Sequence, residues 1–168
     1  MATVKHPSRR KPVNTSDPYA ITWRDGEPID NRTASALRWA ERKARVTARV
    51  VQGSYQAKYG GGAVASAGTH DSGGVLDLAL PDTRRKRIRL IRAMKRAGFA
   101  VWYRNWPGNR HIHAVLRKHA NLAPLAAQQV LDYDNRLDGL VTRLRDRTWR
   151  PLVSRRWSHR QNKPILGK

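Results

Sequence analysis

Cysteine is absent from this 168-residue chain. That excludes a disulfide framework and any thiolate metal site, so a bound metal would have to be held by histidine or carboxylate. Long apolar runs are missing as well, and no stretch approaches the length needed to cross a bilayer. The amino terminus, MATVKHPSRRKPVNTSDPY, has basic residues with no apolar core behind them and does not read as a secretory signal. Acidic residues are scarce: 12 Asp and Glu stand against 34 Lys and Arg, which leaves a formal charge of +22. Such an excess implies an anionic partner, whether nucleic acid, a phosphate-rich cell wall or an acidic protein surface. The length suits one domain with one core, plus tails.

Residues 1–20, with Lys5, Arg9, Arg10 and Lys11 among prolines, read as a basic arm. The segment ITWRDGEPID contains an Asp-Gly turn signal and leads to Asn31, a plausible cap for a helix over TASALRWAERKARV. Thr33, Leu37, Ala40 and Ala44 recur there at helical spacing, away from Arg38, Arg42 and Arg45. TARVVQGSY then suits a strand carrying Val50, Val51 and Tyr55. Gly60–Gly62 and the small residues after them lack the lysine of a phosphate-binding loop and read as a flexible rim. In VLDLAL a period of two places Val75, Asp77 and Ala79 on one face and Leu76, Leu78 and Leu80 on the other.

After Pro81 and the candidate cap Asp82, a second amphipathic helix turns Ile88, Leu90, Ile91 and Met94 inward and stops at Gly98. Its outer face is a row of arginine and lysine. FAVWY and RHIHAVL flank the Pro-Gly turn of RNWPGN and are expected to form a β-hairpin, with His111 and His113 on one face of its second strand. A third helix is expected from Pro124 towards the Asp-Gly at 138 and 139. Residues 141–168 hold nine Lys or Arg and one acidic residue, with Trp149 and Trp157 among them. That pattern suits a basic tail on nucleic acid, glycan strands or a neighbouring protein. The fold class expected is α+β, a small antiparallel sheet with packed helices over residues 21–140.

The chemistry concentrates in GTHDSGGVLDLAL and RHIHAVL. A catalytic zinc takes three protein ligands and leaves the fourth position to water. His70, Asp77 and one of His111 or His113 meet that requirement if the strand of Asp77 lies beside the strand of the two histidines.

The segments VVQGSYQ, SAGTHDSGGVLDL and HIHAV, in this order, resemble the motifs of the zinc peptidases that include D-alanyl-D-alanine carboxypeptidases, L-alanyl-D-glutamate endolysins and the zinc-bearing domain of hedgehog proteins. Over about residues 28–137 the chain looks most like uncharacterised actinobacterial and actinophage members. The resemblance implies Zn2+ held by His70, Asp77 and His113, with His111 beside the reaction centre. It implies hydrolysis of an amide in peptidoglycan stem peptides, with Gln56 or Tyr55 assisting the oxyanion. The implied partners are peptidoglycan or an anionic wall polymer, with virion proteins or nucleic acid for the basic tails. The implied setting is cytoplasmic synthesis, then action at the cell wall after release or within a phage particle. The alternative is a non-catalytic, zinc-stabilised structural or virion protein whose basic arms bind neighbouring subunits or nucleic acid.

Two departures from the family pattern stand out. Many members carry arginine where this chain has Gln56, which brings a hydrogen bond but no charge. Many use an acidic residue shortly before the third ligand as a base. Residues 104–112 contain none, and Asp71 adjoins a ligand, so His111 takes the proton role in this reading.

Overall fold

Asp25 and Gly26 both adopt positive φ, 54° and 87°, the backbone that a two-residue hairpin turn requires. They join β1 (Ile21–Arg24) to β2 (Glu27–Asp30), paired antiparallel with Arg24 opposite Glu27. The computed structural model describes residues 17–59, 66 and 68–146, and the backbone of 157–158 and 163–164. Most of the basic arm, the Gly60–Gly62 run and most of the carboxy-terminal tail lie outside the described residues.

Helix α1 (Asn31–Ala44) follows β2 directly. Its cap is Asp30, one residue before the expected Asn31. The Asp30 carboxylate accepts from the Thr33 amide at 2.7 Å and lies 3.0 Å from the Thr33 hydroxyl, filling two donors that Asn31 is already too far into the helix to reach. Thr33, Leu37, Ala40 and Ala44 are buried as the spacing requires, and Arg38, Arg42 and Arg45 are exposed.

The central sheet is antiparallel, in the order β3 (Val50–Gln52), β4 (Val75–Ala79), β6 (Asn109–Leu116), β5 (Phe99–Trp106). β3 is shorter than the apolar stretch suggests. Tyr55 turns to φ 60° and opens the single-turn helix α2 (Gln56–Tyr59), so it does not continue the strand. Pro107 and Gly108 close the β5–β6 hairpin, which fixes Trp102 opposite His113 and Arg104 opposite His111. Helix α3 (Arg84–Ala97) is capped by Thr83, whose hydroxyl accepts from Lys86 N at 3.2 Å. Asp82, the expected cap, instead pairs with the Lys86 ammonium at 2.8 Å. Helix α4 (Pro124–Asp134) starts at its proline as expected. Trp157–Ser158 (β7) and Lys163–Pro164 (β8) form a two-residue ladder. No described helix is long and apolar enough to cross a membrane. The architecture is α+β.

The two faces of the sheet differ in chemistry. Leu76, Leu78, Phe99, Ile112 and Leu116 meet Leu37 of α1 and Leu90 and Met94 of α3, all without exposed surface. At about 1.5–3 kcal/mol for each large apolar side chain buried, this face supplies more than ~10 kcal/mol of gross driving force. The opposite face carries Val75, Ala100, Trp102 and Val115 against Ala123, Ala126 and Tyr133. Because most of the apolar burial lies on the first face, the second has room for polar side chains.

A buried polar cluster ties the start of α1 to the loop after β6. His119 Nε2 lies 3.0 Å from Asp30 Oδ2, both side chains fully buried, and the Tyr55 hydroxyl lies 3.4 Å from the same oxygen. Gly73 and Gly74 fit against this cluster. A Cβ on Gly73 would meet His119 Cε1 at 2.5 Å and the Tyr55 hydroxyl at 2.6 Å, and Gly74, at φ 84°, lies against Leu122 and His119. Gly73→Ala is therefore expected to cost about 1–3 kcal/mol by overpacking, read as a lower urea midpoint. Burial opposes the charge of Asp30, but His119 and Thr33 outweigh it and hold the carboxylate below its ordinary pKa. A depressed pKa gives stability that is present above the unfolded value and lost as pH falls towards the folded one. Asp30→Asn should thus lower stability at neutral pH and flatten its decline on acidification, checked by urea titrations across a pH series.

Candidate metal centre

Asp77 and His113 are direct cross-strand partners on β4 and β6, and so project from the same face of the sheet. His70 reaches them from the loop ahead of β4. That loop is fixed by Gln56 N donating to His70 O at 3.0 Å and Tyr55 N to Ser72 O at 3.2 Å. The result is a group of three ligand atoms within 4.8 Å of one another, one each from His70, Asp77 and His113. His113 Nδ1 lies 2.7 Å from Asp77 Oδ1, and His70 Nε2 lies 3.5 Å from the same oxygen. Of the sequence candidates, these three and His111 are brought together, His111 Nε2 lying 3.6 Å from Asp77 Oδ2.

The outer nitrogens decide what the inner ones can do. His70 Nδ1 faces the carbonyl of Gly53 at 2.7 Å, and a carbonyl only accepts, so Nδ1 carries the proton and Nε2 presents a lone pair. The Gln129 amide donates its Nε2 to Gly139 O at 2.9 Å, which turns Oε1 to His113 Nε2 at 2.8 Å. His113 Nε2 therefore donates, and Nδ1 presents its lone pair to Asp77. Three electron pairs, two imidazole and one carboxylate, then converge with no hydrogen among them.

Burial raises the pKa of Asp77, but where His113 or His70 carries a proton towards it their charge and hydrogen bonds more than compensate and hold it well below the usual carboxylate range. A proton on His113 would satisfy the pair, yet burial, the largest influence on that ring, pulls its pKa down despite the neighbouring Asp77. A cation shared by the three atoms satisfies all of them, and each imidazole already has the outer hydrogen bond that orients a metal-binding histidine. The residues thus fit a metal ion.

His111 is set differently. Its Nδ1 lies 3.1 Å from Asn109 O and 3.2 Å from Asn109 Oδ1. The proton sits on that side, and Nε2 is free to accept. Gln56 and Tyr55 do not join the site. Gln56 Nε2 lies 3.2 Å from Glu27 Oε2, and the Tyr55 hydroxyl points to Asp30. Neither lines the cleft beside His113. The φ of 60° at Tyr55 turns these side chains towards β2, which accounts for the departure from the sequence expectation.

That cleft has a volume of about 360 Å3. Arg104 and Trp106 on β5, Gln52 on β3 and Gln129 and Asp132 on α4 line it, and sequence reasoning singled out none of them. Asp132 places a carboxylate in the cleft lining, where residues 104–112 offer none. It is buried, accepts from Gln128 Nε2 at 3.0 Å, and lies 3.6 Å from Arg143 Nε. The signal for Arg104 and Trp106 was in the hairpin: a two-residue turn at Pro107-Gly108 fixes the register that puts both on the face of His111 and His113. No comparable spacing marks Gln129 or Asp132.

No family model, curated protein or solved structure matches the chain.

The purified chain is expected to bind one metal ion, and Asp77→Asn to abolish it, measured by elemental analysis after dialysis. Gln129→Ala, which touches no ligand atom facing the ion, should weaken the metal by roughly 10–100-fold in a chelator competition.

Proposed function

We propose that the chain is a zinc-dependent hydrolase of the DD-peptidase and hedgehog-like type, acting on an amide in peptidoglycan stem peptides. The observation that carries this reading is the convergence of His70 Nε2, Asp77 Oδ1 and His113 Nδ1, with both rings held in the tautomer that presents a lone pair inward. Two imidazoles and one carboxylate are a donor set suited to zinc, and the ion they hold retains a net positive charge. Zinc in this position supplies Lewis-acid polarisation of a carbonyl and makes a water molecule more acidic.

The chain's own residues supply the rest. His111 lines the cleft with its Nδ1 committed to Asn109, which leaves Nε2 as the nitrogen for proton transfer. It accepts a proton from the attacking water and returns it to the departing amine nitrogen. Trp106, edge-on to His111 at 5.5 Å, and Leu140 give the cleft apolar walls that limit solvent around the reacting atoms. The open cleft leaves room for a peptide segment, and the charge of +22 suits retention on an anionic wall polymer.

A second reading, a non-catalytic zinc-stabilised virion protein, is favoured by the positions of Gln56 and Tyr55 outside the cleft. Incubation with purified peptidoglycan separates the two. The hydrolase releases new amino groups, His113→Ala or a chelator removes the activity, and His111→Ala lowers the rate by about 10²–10⁴-fold while the metal is retained. Full zinc occupancy with no amine release would support the structural role instead.

A further inference from the structure

Helix α3 is built mostly from cations. Eight of its 14 residues are arginine or lysine and none is acidic. Leu90, Ala93, Met94 and Ala97 form its buried stripe. Arg85, Arg89, Arg92 and Arg96 are exposed and recur at i, i+4, i+7 and i+11, which aligns them in a second stripe ~16 Å long. Among the described residues none of these four makes a side-chain hydrogen bond, ion pair or ring contact. Helix α1, packed on the same apolar core, adds exposed Arg38, Arg42 and Arg45. Its one acid, Glu41, is already held by Arg24 at 2.9 Å.

This arrangement works against the helix that bears it. Arg84, Arg85 and Lys86 occupy the first turn, where the helix dipole favours anions, and no acid stands among them. Lys86 has a partner in Asp82 at 2.8 Å, but Arg85 repels Arg89, and Arg92 repels Arg96, across i, i+4 spacings. Local rules broken without compensation inside the fold mark a surface shaped by a partner. The partner's chemistry follows from the stripe. Guanidinium groups fixed on a rigid rod match a polymer whose anions are also fixed and dense. A nucleic-acid duplex carries one charge per ~1.7 Å of axis and releases condensed counterions when protein cations replace them. A flexible polyanion would have to be ordered along the helix at an entropic cost. Single strands are held by exposed rings on which bases stack, and the exposed aromatic residues Trp23, Tyr59 and Trp106 all lie outside α1 and α3.

We propose that the outer face of α3, with the exposed arginines of α1 beside it, is a docking surface for the phosphate backbone of double-stranded nucleic acid. Arginine suits this role because its planar fork grips a phosphate through two parallel hydrogen bonds. The surface lies on the side of the sheet away from the metal centre. It therefore stands independently of the hydrolytic reading and leaves the cleft open while a duplex is bound. It also places nucleic acid on the folded domain, whereas the sequence alone suggested the basic tails.

The probe is a fluorescently labelled duplex of about 20 base pairs titrated with the full chain, its anisotropy followed from ~50 to ~200 mM salt. Each phosphate contact contributes about 0.9 to the steepness of log K against log salt. The fourfold variant Arg85→Gln, Arg89→Gln, Arg92→Gln, Arg96→Gln is therefore expected to lower that steepness by ~3–4. A comparison variant, Lys5→Gln, Arg9→Gln, Arg10→Gln, Lys11→Gln, removes the same charge from the amino-terminal arm and should lower it by less. Because the α3 arginines are exposed and repel one another, the fourfold α3 variant should unfold at a urea midpoint no lower than the wild type. The pair Arg89→Gln, Arg92→Gln, with a loss of ~2 in steepness, serves where the fourfold variant does not fold. The proposal is overturned if the wild type does not bind the duplex, if the α3 variants keep the wild-type salt dependence, or if the arm variant loses as much. It is also overturned if a single strand of the same length binds as tightly as the duplex. Equal or tighter binding of polyglycerol phosphate, matched in phosphate number, would overturn it in favour of a wall polymer.

Discussion

The site depends on one electrostatic constraint, that the electron pairs of His70, Asp77 and His113 face one another and need a positive charge between them. Neutral imidazoles would otherwise turn to place an N–H against the carboxylate. Here they cannot, because Gly53 O and Gln129 Oε1 already hold the outer N–H groups. The backbone around the centre maintains this frustration. β4 and β6 place Asp77 and His113 directly opposite each other, and Gly73 and Gly74 let the chain carrying His70 pass close to His119. Relieving the constraint by rotating either ring would break a buried hydrogen bond, which costs about 1–3 kcal/mol.

The second layer around the centre is built largely from one short loop. Trp102 Nε1 donates to Leu137 O at 3.1 Å, Arg104 to Asp138 O, and Gln129 to Gly139 O. Gly139, at φ 66°, lies against the Trp102 ring, where a Cβ would come within 2.9 Å of it. Three consecutive carbonyls thus hold the tryptophan under His113, Arg104 of the cleft wall, and the glutamine that fixes the tautomer of His113. The loop forms no part of the metal centre, yet it joins the support of the metal ligand His113 to that of Arg104 through a common backbone.

Much of this was legible in the sequence because it follows from a period of two. Alternation in VLDLAL and RHIHAVL put Asp77, His111 and His113 on one side and the leucines on the other, and the structure has that arrangement. Helix spacing likewise identified the buried stripe of α1. What stayed hidden depends on contacts between segments distant in sequence. Gln129 and Asp132 matter because α4 crosses the site face, and nothing local to PLAAQQVLDYD marks which residues it turns inward. The roles expected for Tyr55 and Gln56 followed from their place in a motif. A single residue at φ 60° was enough to turn both away, and periodicity carries no information about such a turn.

The division of the sheet into an apolar face and a polar one also bears on how the charge is carried. The exposed arginines of α1 and α3, among them Arg38, Arg42, Arg85, Arg89 and Arg92, belong to the helical layer behind the sheet. The cleft lies on the other side. Charges in water are screened over about 8–10 Å at physiological ionic strength, so the helix arginines affect the approach to an anionic polymer far more than events inside the cleft. Arg104 is shielded from water by Trp102 and Trp106, and its field reaches the interior of the site. The chain therefore places positive charge in two settings: a solvated helical layer behind the sheet, and the buried Arg104 on the cleft side.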